Sequence, residues 1–300
     1  MKQVVLITGA SSGFGELTAY ALADAGCTVY ASMRGLSGHN AEKAEKAKDY
    51  SAGRGVDLRT VEMDVQRQDS VDAAVARVIE DAGRIDVLIH NAGHMAFGPA
   101  EAFTPEQYAR EYDINVLGTQ RLNRAALPHM RRAGTGSLVV WVGSTSTRGG
   151  TPPHVAPYFA AKAAMDSLAV SYAGELARWG IETVIVLPGV YTQGTNHFAH
   201  ADGPEDKERE AEYADGPTRD LSEQSKKGDK DSAPEDADPV DVARAIVRVV
   251  GMPFGKRPLR ITVDPADGGA EELNKLGDRV RAEYLRSAGM GDLLHPRTRA

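Results

Sequence analysis

Short, largely apolar runs alternate with longer stretches of helical period along most of the chain. The runs are Val4–Ile7, Thr28–Ser32, Leu58–Met63, Val87–His90, Leu138–Val142, Thr183–Leu187 and Leu259–Val263. They lack the in–out alternation of half-exposed strands and so read as parallel strands buried on both faces. Helical patterns fall at Phe14–Ala25, Ser70–Ala82, Pro105–Arg132, Pro157–Trp179, Pro239–Val250 and around Ala270–Leu285. Strand–helix alternation of this kind predicts an α/β fold, a doubly wound sheet of seven parallel strands with right-handed crossovers. Ligands of such sheets bind beyond the carboxyl ends of the strands.

One stretch departs from the pattern. From Asn196 to Asp238 the chain is polar, and Ala201–Asp238 holds six Lys or Arg against fourteen Asp or Glu, a net of −8 beside −7 for the whole protein. We expect a solvated, partly disordered insertion whose first residues, up to about Phe198, form a lid over the substrate. Residues 264–300 form a C-terminal extension, and the whole of 1–300 is read as a single domain. The net negative charge argues against nucleic acid or an anionic membrane as a partner. No apolar run approaches a bilayer span. The first strand leaves no room for a secretory leader, and the single Cys27 fits a reducing compartment, so a cytoplasmic protein is expected. Cys27 itself reads as a small buried residue.

Candidate chemistry sits at the ends of the strands. The first run leads into Thr8-Gly9-Ala10-Ser11-Ser12-Gly13-Phe14-Gly15 and then a helix. Such a turn brings backbone N–H groups and a helix N-terminus up to a pyrophosphate. Asp64 ends the third strand, where its carboxylate can accept from an adenine amino group; Asp69 or Ser70 is better placed to cap the next helix. Tyr158 and Lys162 lie four residues apart on one helix face. A neighbouring ammonium favours phenolate and would depress the phenol's pKa. Taken singly, Tyr158 could be an interface aromatic and Lys162 a solvated charge.

Together with Asp64-Val65, Asn91-Ala92-Gly93, Asn115 in Asp113-Ile114-Asn115-Val116-Leu117-Gly118, Tyr158-Phe159-Ala160-Ala161-Lys162 and Pro188-Gly189, the glycine turn resembles the short-chain dehydrogenase/reductase family over roughly Lys2 to Val190. Val29–Arg34 and the long tail after Val263 are most similar to its hydroxysteroid and retinol dehydrogenase branch. The resemblance implies a Rossmann fold and hydride transfer between a nicotinamide and a carbonyl or secondary alcohol. It implies catalytic roles for Asn115, Ser144, Tyr158 and Lys162. Asn91 would steady the central strands, Asn115 would kink its helix and hold a water leading to Lys162, and Lys162 would also hold the nicotinamide ribose. The family's usual spacing to the tyrosine falls on Thr145, whereas Ser144 directly follows the apolar run; we favour Ser144 and keep Thr145 as the alternative.

The expected cofactor contacts are Gly9, Ser11, Ser12, Gly13, Phe14, Gly15, Asp64, Val65, Asn91, Ala92, Gly93, Pro188, Gly189, Val190 and Thr192, with Tyr158 and Lys162. Met33 stands where NAD-preferring relatives carry an acid, and Arg34 follows it, suited to a 2′-phosphate with Ser32 adding a hydroxyl. NADP(H) is therefore expected over NAD(H), and no metal. Met95, Phe97, Tyr191 and Phe198 suggest an apolar pocket for a ketone or a steroid- or retinoid-like substrate; His154 reads as an exposed loop histidine. Ala164, Leu168, Tyr172 and Leu176 offer more apolar surface than one helix face needs, which suggests a homodimer or homotetramer. A non-catalytic dinucleotide sensor on the same fold is the alternative function; the intact Asn115, Ser144, Tyr158 and Lys162 set argues against it.

Overall fold

In a computed structural model of the protein, residues 2–134, 136–150, 152–191, 194–195 and 200–296 are described. The expected contacts Thr192 and Phe198 lie outside them. Strands β1 (Val4–Ile7), β2 (Thr28–Met33), β3 (Asp57–Glu62), β4 (Val87–His90), β5 (Ser137–Val142), β6 (Ile181–Pro188) and β7 (Arg260–Val263) form one sheet. Its order is β3-β2-β1-β4-β5-β6-β7, and every pairing is parallel. The order reverses between β1 and β4, so their carboxyl ends open the crevice where a ligand binds.

The apolar runs are explained by two cores, one on each face of the sheet. Val4, Leu6, Leu88, Val139 and Trp141 point into one core, while Val5, Ile7, Val87, Ile89, Val140 and Val142 point into the other. Helices α3 (Gln68–Ala82), α5 (Gly118–Ala133) and α6 (Ala156–Ala177) close the first core with Val71, Leu122 and Met165. Helices α1 (Gly13–Asp24), α2 (Ala41–Arg54) and α9 (Val240–Gly251) close the second with Leu22, Ala47 and Ile246. Cys27 is buried, as its reading required. Ala164, Leu168 and Tyr172 are partly buried against the first core, so much of the apolar surface assigned to pairing is used within one chain.

Three helices were not visible in the sequence. α2 buries the side chain of Ala47 alone and so carries no apolar stripe. α7 (Lys207–Asp215) and α8 (Leu221–Ser232) stand inside the polar insertion, which is therefore not the loop its composition predicts. α7 buries none of its residues. Its N-cap Asp206 instead accepts from the Arg209 backbone N–H at 3.0 Å, satisfying an orphan donor of the first turn. The long helical pattern from Pro105 is also divided. It runs as α4 (Pro105–Tyr112), one wide π turn at Asp113–Leu117, and then α5. The last long helix is α10 (Ala270–Ser287), in the C-terminal extension.

Candidate active site

The crevice at the switch point is a cleft of about 690 Å³. The turn after β1 forms one wall. Gly9 adopts φ +66°, and a Cβ there would lie 2.8 Å from the Ala92 backbone. A Cβ on Gly15 would lie 2.3 Å from the Gly9 carbonyl oxygen and 2.4 Å from Asn91 Nδ2. Only glycine fits such approaches. Asn91 Nδ2 donates to the carbonyls of Thr8 and Gly9 at 2.9 and 3.1 Å, which fastens the turn to the end of β4. The chain thereby presents a helix N-terminus, with Ser11, Ser12, Gly13 and Phe14 lining the cleft. Asp64, Val65, Asn91, Ala92, Gly93, Pro188, Gly189 and Val190 line it too.

Tyr158 and Lys162 enter the cleft from the first two turns of α6. The Tyr158 phenol hydrogen-bonds to Ser144, and burial pushes its pKa up to about 12 against that bond's opposing effect. The phenol is thus raised where a depression was expected, because desolvation, with the Glu111 charge adding to it, outweighs the bond to Ser144. Lys162 is itself buried, which brings its ammonium down to about 8. Its Nζ donates to the Val142 carbonyl at 3.0 Å and stands 5.8 Å from the Tyr158 ring centroid. Ser144 Oγ also accepts from Ser146 Oγ at 2.7 Å, while the Thr145 backbone N–H is tied to the Pro188 carbonyl at 3.0 Å. Both side chains border the cleft, but the hydroxyl bonded to the phenol is that of Ser144.

Asn115 lies in the π turn, the kink its motif implied. Its Nδ2 donates to the Glu111 carbonyl and to Glu111 Oε1, both at 3.0 Å, and to the His94 carbonyl at 3.2 Å. Its Oδ1 is buried and takes no hydrogen bond from the described residues. A Cβ on Gly93 would lie 2.8 Å from that oxygen and 3.4 Å from Lys162 Nζ, so this glycine keeps open the space the two share. An orphaned acceptor beside an ammonium, in a cleft that also holds the glycine turn, fits a nicotinamide dinucleotide and the water that accompanies it.

Some expected contacts fall elsewhere. Ser32 is 1% exposed and its Oγ donates to Met63 Sδ at 3.6 Å, so the hydroxyl is spent inside the sheet and not on a phosphate. The side chain of Phe97 is absent from the lining. Its ring meets His154 edge-on at 5.9 Å and lies 4.9 Å from Lys226 Nζ of α8. His154 is not an exposed loop residue either: it is 7% exposed, held at φ +73°, and its Nδ1 pairs with Ser222 Oγ of α8 at 2.7 Å. Met95 and Tyr191 do line the cleft, with Tyr191 edge-on to Phe14 at 5.4 Å. Lining residues missed in the sequence include His39 and Lys43 beside Arg34, and Thr195 and His200 after β6. Glu111 was missed as well, although a carboxylate one turn before a motif asparagine was a readable signal.

Comparison with known proteins decides the family. Residues 3–203 match the short chain dehydrogenase family model. The chain belongs to that family. It is 34% identical over 194 residues to the 3-ketodihydrosphingosine reductase of Bacteroides thetaiotaomicron, a match spanning 64% of this chain and 65% of that one. It is 35% identical to the rat estradiol 17-beta-dehydrogenase 1, over 83% of this chain and 71% of the relative. The chain thus spans just under two thirds of the first relative's length. A crystal structure of a short-chain dehydrogenase from Streptomyces avermitilis superposes with TM-score 0.71 at 31% identity, covering 97% of this chain and 98% of that one. Among the described residues no helix is long and apolar enough to cross a membrane.

Proposed function

We propose that the protein is an NADP(H)-dependent ketoreductase or alcohol dehydrogenase acting on a bulky, largely apolar carbonyl or secondary alcohol. The observation that carries this is the convergence of Ser144, Tyr158 and the buried Lys162 in one corner of the glycine-walled cleft. When bound, the nicotinamide supplies or accepts the hydride, and its oxidised form adds a positive charge that favours phenolate. Gly9–Gly15 would hold the pyrophosphate, Asp64 and Val65 the adenine, and Lys162 the ribose. Ser144 and Tyr158 would bind the substrate oxygen, with Tyr158 moving the proton. Asn115 Oδ1 can accept from a water that links Lys162 to solvent. Met95 and Tyr191 offer apolar walls, and relatives named for estradiol and 3-ketodihydrosphingosine support a bulky substrate. NADPH consumption with a panel of ketones tests the reading; no turnover with any ketone or alcohol, in the presence of tight dinucleotide binding, would favour the sensor alternative. Self-association through the helix faces near the exposed Tyr112 and Leu117 belongs to the same reading, and light scattering reads it directly.

The choice of polariser has its own test. Ser144→Ala should lower kcat about 10²-fold, the scale of losing one preorganised donor to a developing oxyanion. Thr145→Ala should stay within about threefold of wild type, since its main-chain bond to Pro188 survives the substitution. A larger loss at Thr145 would reverse the assignment.

We assign the insertion the role of a cover over the substrate, fastened where α8 meets His154. Ser222 and Lys226 hold the loops bearing His154 and Phe97, whereas α7 buries none of its residues. Helices with so little burial open at low free-energy cost. Limited proteolysis should therefore cut first between Ala201 and Asp236, and NADPH with substrate should slow that cut severalfold. Equal cutting with and without ligands would reduce the segment to a surface insertion.

A further inference from the structure

Glu111 is the acidic residue the fold has placed in an unfavourable position. It is 3% exposed, on the last turn of α4, with no arginine or lysine in hydrogen-bond contact among the described residues. Its carboxyl meets Asn115 Nδ2 at 3.0 Å, the amide whose other end faces Lys162 across Gly93. A carboxylate buried this way costs several kcal/mol unless it is paired or takes up a proton. An apolar side chain would fill the same place at no such cost.

The groups facing Glu111 come from three elements. From α6, Lys162 favours its charged form and Tyr158 feels its charge. From the segment after β6, Asp202 disfavours its charged form. From the loop after β4, His94 reaches that Asp202, with Nε2 3.2 Å from Oδ2 and side-chain exposures of 28% and 60%. Asn115 is the neutral contact on the same helical run. Glu111 therefore lies behind Lys162 and Asn115, within the field of Asp202, whose carboxylate meets the His94 imidazole at the surface.

We propose that Glu111 is the proton-exchanging residue behind Lys162, passing protons between the buried lysine and solvent on the His94/Asp202 side. The inference rests on the reductase reading above. In reduction, a bound reduced nicotinamide would supply the hydride that the carbonyl carbon gains. The Tyr158 O–H bond breaks as the substrate O–H bond forms. Lys162 Nζ returns a proton to the phenolate. The Glu111 carboxyl returns one to Lys162 through water held at Asn115 Oδ1, and the resulting carboxylate takes a proton from solvent. Oxidation runs the same transfers backwards. Burial raises the Glu111 carboxyl to about 7, beside a lysine lowered to about 8, so donor and acceptor are nearly matched at neutral pH. Glu111 touches neither substrate nor cofactor and acts through Asn115 and Lys162.

The test is Glu111→Gln, which keeps the acceptor for Asn115 and removes the exchangeable proton. We expect kcat at neutral pH to fall about ten- to a hundredfold, at or below the roughly 10²–10⁴-fold of a direct general acid. The kcat limb near neutral pH should vanish, with KM for the coenzyme within about twofold. Two readouts need no turnover. NMR of lysine-labelled protein should show Lys162 titrating at lower pH in E111Q, because the carboxylate that stabilises its ammonium is gone. Infrared titration of wild type should show a buried carboxylic acid deprotonating near neutral pH, and that band should be missing in E111Q. An unchanged kcat–pH profile or an unchanged Lys162 titration would overturn the proposal. Should E111Q fold poorly, absence of the titrating acid band in wild type would overturn it equally. If no carbonyl is reduced by wild type, the reductase reading fails while the Glu111–Lys162 coupling is still read by NMR.

Discussion

Tyr158→Phe should abolish nearly all turnover and leave coenzyme binding close to wild type. The ring is half-buried at the cleft wall, so phenylalanine keeps its packing and removes only the oxygen. Two things are lost with that oxygen: the proton donor, and the hydrogen bond that aligns Ser144. General acid catalysis alone is worth roughly 10²–10⁴-fold. Loss of a preorganised donor contributes a comparable factor, and the two overlap because they act on one oxygen. A fall in kcat of at least about 10³-fold is expected, with Kd for NADPH changed less than about threefold. The glycine turn, Asn91 and Lys162 remain in place to hold the dinucleotide. Retention of a tenth of wild-type kcat would remove Tyr158 from its assigned role.

How far this site could be read in advance follows from what each residue does physically. The central strands were legible because both faces of a parallel sheet must be apolar there, as Val4–Ile7 and Leu138–Val142 are, while the edge strands β3 and β7 are less buried. The glycine turn was legible because close approaches at Gly9 and Gly15 exclude every other side chain. Helices α2, α7 and α8 were not, because periodicity reports burial and these helices bury almost nothing. Ser32 and Phe97 were misplaced for a different reason. Their neighbours in sequence line the cleft, yet the Ser32 hydroxyl meets Met63 inside the sheet and the Phe97 ring turns toward His154. Glu111 and the Asn115 turn were hidden by the smooth helical pattern around them. A π turn changes the register of side chains without changing the composition that predicts a helix.

Arg34→Leu should weaken NADPH by about ten- to a hundredfold in KM and leave NADH within about twofold. Arg34 is exposed at the rim of the cleft, directly after Met33 at the end of β2, and forms no ion pair among the described residues. Its backbone is fixed: the Arg34 carbonyl accepts from Asn40 Nδ2 at 2.8 Å, and Gly35 and Leu36 both donate to Glu62 at 2.7 Å. The carboxylate of Glu62 is thus occupied by the loop and is not among the groups lining the cleft, so Met33 leaves the ribose position without an acid. A charge-assisted bond to phosphate contributes roughly 1.5–3 kcal/mol, or about 10- to 150-fold in affinity. Lys43 lies at the same rim but is shared with Glu16 at 3.8 Å, which makes it the weaker of the two cations. Arg34→Leu with Lys43→Ala should therefore lose more than the single change, and the added loss should be the smaller part. Both losses should shrink as salt is raised, since these cations are exposed and screened. A wild-type preference for NADH would show that neither cation meets a 2′-phosphate, and the absence of an acid at Met33 would then need another explanation.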